Sequence, residues 1–486
     1  MPTKPDVLLI LTDQWNPRMM GCAGDPVVRT PHLDALAAEG VLFRRAYTQS
    51  PVCMPARCSL ASGRYPHNHG FWMNFTGRKF PAEEITLFRD IQRAGYTTAK
   101  IGKFHYYNLE WGEDYRDHQA YYDALGLDWA QELPTPYMGP YLRNGYTAHL
   151  QTRGLLDAYL ADIAERFAIG DFDVVRPSPL PPDDHQDGYI THQALAYLER
   201  CPTDKPLFLC VSLPGPHTPF DAPGHYAELF DPAAMVLAPN VPAVVRQKFD
   251  RDHIRRAQAN YYGKLAHLDD RVGQLVAALK QRGTWENTLL IFAADHGEYL
   301  GSHGKLAKGG FEEESARIPL LMHWPGHLRA GHQSDALAQW IDIYPTIIDA
   351  IGGVMSPGRF GQSLLPVATG ATDAVHDAVF SEIGRGDQLN YMVRTAQYKW
   401  FVQNGQAHLF DLDADPYEVH NLIASPAHSA VVQAMQQRLL DFLMQTQVNH
   451  AAGYQNLFTR IGLIGEAQEG MAERLLTMFQ QVHNDA

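Results

Sequence analysis

The chain has 486 residues, 45% hydrophobic and 19% charged, with a formal net charge of −14. That length exceeds one small domain and suits a large α/β domain with a smaller companion. Such an acidic protein is a poor match for wrapping nucleic acid or an anionic membrane surface, and no apolar run approaches the length needed to span a bilayer. Five cysteines (Cys22, Cys53, Cys58, Cys201 and Cys210) are scattered without a C-x-x-C pair, which points away from a disulfide framework or a zinc ribbon. Met1-Pro2-Thr3-Lys4-Pro5 runs straight into an apolar segment and lacks the pattern of a signal peptide, so the cytoplasm is expected.

The first apolar run, Val7–Leu11, reads as a central parallel strand. It ends at Thr12-Asp13-Gln14, and the carboxyl end of such a strand is where α/β sheets place ligand chemistry. A helix is predicted from Pro31, with Thr30 as its N-cap. In Cys53-Met54-Pro55-Ala56-Arg57-Cys58-Ser59-Leu60-Ala61-Ser62, Cys53 and Arg57 stand near a helix start. Free N–H groups, the helix dipole and the planar fork of Arg57 suit a tetrahedral oxyanion beside a nucleophile. Thiolate chemistry at Cys53 would be the default on these grounds alone.

Thr97–Ile101 reads as a strand, and Lys103 and His105, two apart, project to one face of an extended segment. A cation and an imidazole together can neutralise an anion and assist proton transfer. From about 106 to 190 the chain shows little periodicity. A helix is expected over Asp187–Glu199 and a buried strand over Pro206–Leu213, delivering His217 at its carboxyl end. A long helix follows from Ala257 to Arg282. Leu289–Ala294 is another buried strand, ending in Asp295-His296. Bringing Asp13, Gln14, Asp295 and His296 together makes an oxygen-rich cation site with one imidazole. Lys308 lies in the glycine-rich loop 301–310. Strands of a small antiparallel sheet are expected at Val379–Glu382, Tyr391–Arg394 and Lys399–Gln403.

Cys53-Met54-Pro55-Ala56-Arg57 matches the C-x-P-x-R signature of type I sulfatases, within the alkaline phosphatase superfamily, and Ser59, Gly63 and Arg64 fit the longer pattern. Gly102-Lys103-Phe104-His105 resembles the family's G-K-x-H motif, which leans toward sulfate esters. Pro216-His217-Thr218-Pro219-Phe220 resembles its P-H-x-P-F segment. Lys308 before Gly309, then Glu312–Glu314 and Arg317-Ile318-Pro319, follows the family order, as does Leu409–Glu418 near the end. The resemblance spans most of residues 5–425. It implies that a formylglycine-generating maturation enzyme oxidises Cys53, and that the aldehyde hydrate, helped by Arg57, is the nucleophile. It further implies one divalent cation held by Asp13, Gln14, Cys53, Asp295 and His296. Lys103, Lys308 and Asn74 would contact the substrate, His217 would protonate the leaving alcohol and His105 would assist. Gln14 and His296 depart from the commoner Asp and Asn. The departure leaves two formal negative charges rather than three, leans toward Mn²⁺ beside Ca²⁺ and Mg²⁺, and resembles the choline-sulfatase and phosphonate-monoester-hydrolase branch.

The expected fold is α/β: a large, mostly parallel sheet between helices, with a smaller C-terminal antiparallel sheet. The expected layout is a catalytic domain over 1–370 with a substrate-shaping insertion at 106–186, a subdomain over 371–450, and an oligomerisation tail over 451–486 that would make a dimer or tetramer. The expected activity is hydrolysis of small anionic esters, aryl or small alkyl sulfates, with promiscuity toward phosphonate and phosphate esters. The alternatives are a phosphonate monoester hydrolase or phosphodiesterase, and a catalytically silent anion- or metal-binding protein. Neither nucleic acid nor membrane is an expected partner.

Overall fold

The computed structural model describes residues 4–74, 77–107, 113–133, 139–170, 172–385 and 388–447. Its centre is the strand Asp6–Asp13, paired in parallel with Leu207–Pro216 on one side and Thr288–Ala294 on the other. Alternate side chains of this strand enter different cores. Leu8 and Ile10 join Leu209, Val211 and the helix residues Leu265, Leu268 and Val272. Val7, Leu9 and Leu11 join Met54, Cys58, Leu60 and Ile343. Burial on both faces is why the run is continuously apolar rather than alternating.

Across the nine-stranded sheet the order is His332–Gln339, Val41–Tyr47, Leu320–His323, Thr288–Ala294, Asp6–Asp13, Leu207–Pro216, Thr97–Gly102 and Trp129–Glu132, with Arg317–Ile318 also pairing with Val41–Tyr47. Leu320–His323 and Arg317–Ile318 are antiparallel and the other pairings are parallel. Several strands therefore deliver their carboxyl ends to one edge. The helices Gln186–Arg200 and Arg251–Arg282 cover one face, and Cys53–Ser62 and Ile343–Ala350 the other.

The second sheet is an antiparallel meander of Ala378–Arg385, Gln388–Thr395, Tyr398–Gln403 and Gln406–Asp411. Its fourth strand extends into the family-like element at Leu409, where no strand is expected from the sequence. Val379, Ile383 and Phe401 of this sheet share a core with Tyr47 and Leu337 of the main one. The weakly periodic stretch 106–186 contributes the edge strand Trp129–Glu132 and the helices Gly145–Thr152 and Leu156–Ile169. The expected oligomerisation tail, 451–486, lies outside the described residues. Among the described residues no helix is long and apolar enough to cross a membrane.

Thr30 does not cap the helix Pro31–Glu39 with its side chain. Its hydroxyl accepts from Gly21 N–H (2.9 Å) and donates to Asp34 Oδ1 (3.1 Å). The cap comes from a distant part of the chain. Asp269, on the long helix, accepts from the N–H groups of His32 (2.9 Å) and Leu33 (2.8 Å). Burial, opposed by those two donors, raises the Asp269 carboxyl to about 7. A carboxyl raised by folding binds its proton more tightly in the folded chain. Its stabilising effect is thus complete at low pH and is lost as pH rises from about 4 toward 7. Asp269→Asn should flatten this pH dependence in urea unfolding. Above pH 7, Asp269→Ala should be less stable than Asp269→Asn by about 1 kcal/mol, the cost of the remaining cap.

Candidate active site

Cys53 is the first residue of the helix Cys53–Ser62, every residue of which is buried. Its N-cap, Val52, offers no side-chain acceptor. Asn74 fills that role: its Oδ1 accepts from Met54 N–H at 3.0 Å. The side chain expected to face the substrate is thus engaged at the helix start. At the other end Gly63 takes a left-handed conformation (φ 64°), and a Cβ there would lie 2.8 Å from the Tyr344 ring. The helix presents Cys53 to the edge where the parallel strands end.

Asp13, Cys53, Asp295 and His296 each place a donor atom within 4.8 Å of the others, and all four are buried. Cys53 Sγ is 3.1 Å from His296 Nε2 and 3.7 Å from Asp13 Oδ1. His296 Nδ1 donates to the Gly297 carbonyl (3.0 Å), which turns Nε2 toward the centre.

Arg57, one turn along from Cys53, has 2% exposure. Its guanidinium, expected to meet an oxyanion, is taken up by protein acceptors. Nε donates to Asp295 Oδ2 (2.7 Å), Nη2 to Asp13 Oδ2 (3.1 Å), and Nη1 to Lys103 O (2.7 Å) and Ser212 Oγ (2.9 Å). Lys103 Nζ also contacts Asp13 Oδ2. The Oδ2 atoms of both aspartates are thereby held from outside. Their Oδ1 atoms lie 3.7 Å (Asp13) and 3.5 Å (Asp295) from His296 Nε2.

Gln14 follows with φ 70°, a conformation rarely adopted by side-chain-bearing residues. The backbone is pinned there by Tyr261, whose hydroxyl donates to Gln14 O at 2.6 Å. Gln14 Nε2 donates to Glu298, and Lys308 Nζ donates to Gln14 Oε1. Glu298 also accepts from Leu300 N–H (2.8 Å) and Ala307 N–H (2.7 Å), and burial raises it to about 7. Glu298 has no signature in the sequence beyond standing two residues past His296. It fixes the Gln14 amide so that Oε1 faces Lys308.

His217 Nδ1 donates to Thr218 O (2.8 Å), and the ring also interacts with Cys53. Burial and Lys308 lower His217 to about 4. His105 (φ 57°) donates its backbone N–H to Glu132 Oε1 (3.1 Å) while its ring approaches Cys53. Burial resists ionisation of Cys53, but Lys103, Lys308 and His296 outweigh it and hold the thiol well below its ordinary range. Burial drives the Cys58 thiol upward, so it stays protonated. The structure thus gathers Asp13, Gln14, Cys53, Arg57, Lys103, His105, His217, Asp295, His296 and Lys308 around one point.

Two buried carboxylates and an inward-facing imidazole suit a hard divalent cation, while the Gln14 amide oxygen accepts from Lys308. Three fixed cations, Arg57, Lys103 and Lys308, stand against the two aspartates, so the pocket also suits an anion. Fold and site together fit a metal-dependent enzyme acting on anionic esters, built at the strand edge of a mixed α/β sheet.

The comparisons with known proteins agree. The sulfatase family model matches residues 5–354, and the N-sulphoglucosamine sulphohydrolase C-terminal model matches 301–445. An arylsulfatase of Clostridium perfringens is 28% identical, covering 93% of this chain and 96% of its own. The multifunctional alkaline phosphatase superfamily protein PehA of Trinickia caryophylli is 30% identical, covering 94% and 99%. The crystal structure of the phosphonate monoester hydrolase of Agrobacterium radiobacter superposes with a TM-score of 0.76 at 27% identity, covering 91% and 96%. The chain belongs to the sulfatase family, and it is a sulfuric ester hydrolase.

Removing Arg57 would leave the buried Asp295 carboxylate without its cationic partner and Asp13 with Lys103 and Lys308 alone. Arg57→Ala should therefore cost about 3–5 kcal/mol in urea unfolding. A divalent cation should recover part of that loss in thermal shift, and adding Asp13→Asn and Asp295→Asn to the variant should abolish the recovery.

Proposed function

We propose that the chain cleaves aryl or small alkyl sulfate esters with formylglycine, formed from Cys53, as its nucleophile and with one divalent cation as cofactor. The supporting observation is the placement of Cys53 at a helix N-terminus, within 4.8 Å of the donors of Asp13, Asp295 and His296. A thiol there would be a soft group among hard oxygen donors. Its oxidation to a hydrated aldehyde supplies an oxygen nucleophile suited to them.

Asp13, Asp295, His296 and the Gln14 amide would hold the cation, with Mn²⁺, Ca²⁺ or Mg²⁺ as candidates. When bound, it lowers the pKa of the nucleophile and draws charge from the ester oxygens. Arg57 keeps Asp13 and Asp295 in place from behind. Lys103 and Lys308 neutralise charge that develops on the sulfuryl oxygens. His217 delivers a proton to the leaving oxygen from Nε2, since Nδ1 is committed to Thr218 O. An anionic ester beside it raises its affinity for that proton. His105 assists the second step, which returns the aldehyde and releases sulfate. Asn74 contributes by setting the helix start. A reducing, cytoplasmic compartment suits five unpaired cysteines.

A second reading, phosphonate monoester or phosphodiester hydrolysis, is favoured by the 27% identity and 0.76 TM-score to the Agrobacterium enzyme. The kcat/KM values for 4-nitrophenyl sulfate and 4-nitrophenyl phenylphosphonate decide between them: a strong preference for the phosphonate would overturn sulfate esters as the preferred substrates. Mass spectrometry of the tryptic peptide containing Cys53 should show formylglycine. Lys308→Ala should lower kcat/KM on the sulfate by on the order of 10²–10³. Chelation should abolish turnover, and a divalent cation should restore it.

A further inference from the structure

We infer that a cavity of about 430 Å³ beside Lys308 receives the alcohol portion of the ester and selects one carrying a second negative charge. The inference rests on Lys308 as the contact to the reacting anion and extends the site outward from it. Lys308 lines this cavity together with Arg246, Lys305, Phe401, Gln403 and His408. Three elements meet there: the glycine-rich loop, the strand pair Tyr398–Gln403 and Gln406–Asp411, and the tight turn at Arg246.

The charges are unequal. Lys305 is committed to Glu312, the acid in the lining. Among the described residues no carboxylate pairs with Arg246, whose guanidinium lies 4.9 Å from the Phe172 ring centre. Apart from that ring contact, the Arg246 guanidinium has no side-chain acceptor among the described residues. Phe401 and His408, directly opposite on neighbouring strands, stack at 4.7 Å with a 24° interplanar angle. They add an aromatic surface on which a ring can pack.

The backbone at Arg246 is the second observation. Arg246 and Gln247 both have positive φ, 51° and 56°, in a turn closed by Lys248 N–H on Val245 O at 3.1 Å. Such a turn favours asparagine or glycine at both positions. The chain keeps an arginine there instead. Arg246 N–H donates to Gly304 O (3.2 Å), tying the turn to the loop that carries Lys308. The turn therefore sets a fixed cation in the cavity wall at a position whose backbone a smaller residue would fit better.

The test separates stability from recognition. Asparagine tolerates the left-handed conformation, so Arg246→Asn should melt at or above the parent temperature. Binding is measured by calorimetry on the full chain carrying Cys53→Ala, which cannot turn over. The probes are 4-(sulfooxy)benzoate, 4-(sulfooxy)phenylacetate and their methyl esters. At least one carboxylate should bind about tenfold more tightly than its ester, the strength of a charge-assisted hydrogen bond. Adding Arg246→Asn should erase that preference and Arg246→Lys should retain most of it. Equal binding of acids and esters, or a preference untouched by Arg246→Asn, would overturn the inference. Turnover of 4-nitrophenyl sulfate by the Cys53 protein tests the underlying activity separately.

Discussion

The Arg57 guanidinium holds the site together. It lies buried between Asp13 and Asp295, which belong to neighbouring parallel strands or the turns just beyond them, and it also reaches Lys103 O and Ser212. One side chain therefore ties together the carboxyl ends of several strands. Carboxylates this deeply buried would otherwise repel each other and be poorly solvated. With their outer oxygens engaged, the inner oxygens can meet a cation without rearrangement, which is the preorganisation that ester hydrolysis requires.

The same economy governs the surroundings. Parallel strands deposit reactive side chains at one edge, and loops at that edge can diverge without disturbing the core. Distant elements then secure those loops. Tyr261 holds the strained Gln14 backbone, Glu298 orients its amide, and Lys264 donates to the carbonyls of His217 (2.7 Å) and Pro219 (2.8 Å) and to Asp221 (2.9 Å). The antiparallel sheet shares a core with Tyr47 and Leu337 and lends Phe401, Gln403 and His408 to the cavity beside Lys308. Residues of both sheets' loops and strands thus meet at Lys308.

Much of this was legible in the residues. Continuous apolar runs marked the central strands because both faces of the sheet are covered. The polar residues closing those runs, Asp13, His217, Asp295 and His296, pointed to the candidate site because the carboxyl ends of parallel strands collect at one edge of such a sheet. Thr30 stands at the N-cap of Pro31–Glu39 as expected but does not cap it with its side chain, since a local rule cannot know that Asp269 supplies the acceptors from 237 and 236 residues away. The helices Gly145–Thr152 and Leu156–Ile169 lay in a stretch whose short apolar pattern was interrupted by polar and aromatic residues.

The sequence by itself determined the fold class, the inventory of reactive side chains and the helix start at Cys53, because these follow from local periodicity and from residue chemistry. Tertiary structure decided what each group faces. It turned Arg57 from an open anion contact into a counter-ion for two carboxylates. It engaged Asn74 at a helix start, made Glu298 the partner of Gln14, and set Arg246 beside Lys308. Such pairings depend on which side chains meet across strands and loops far apart in the chain, and burial decides their strength by removing the water that would otherwise satisfy each group separately.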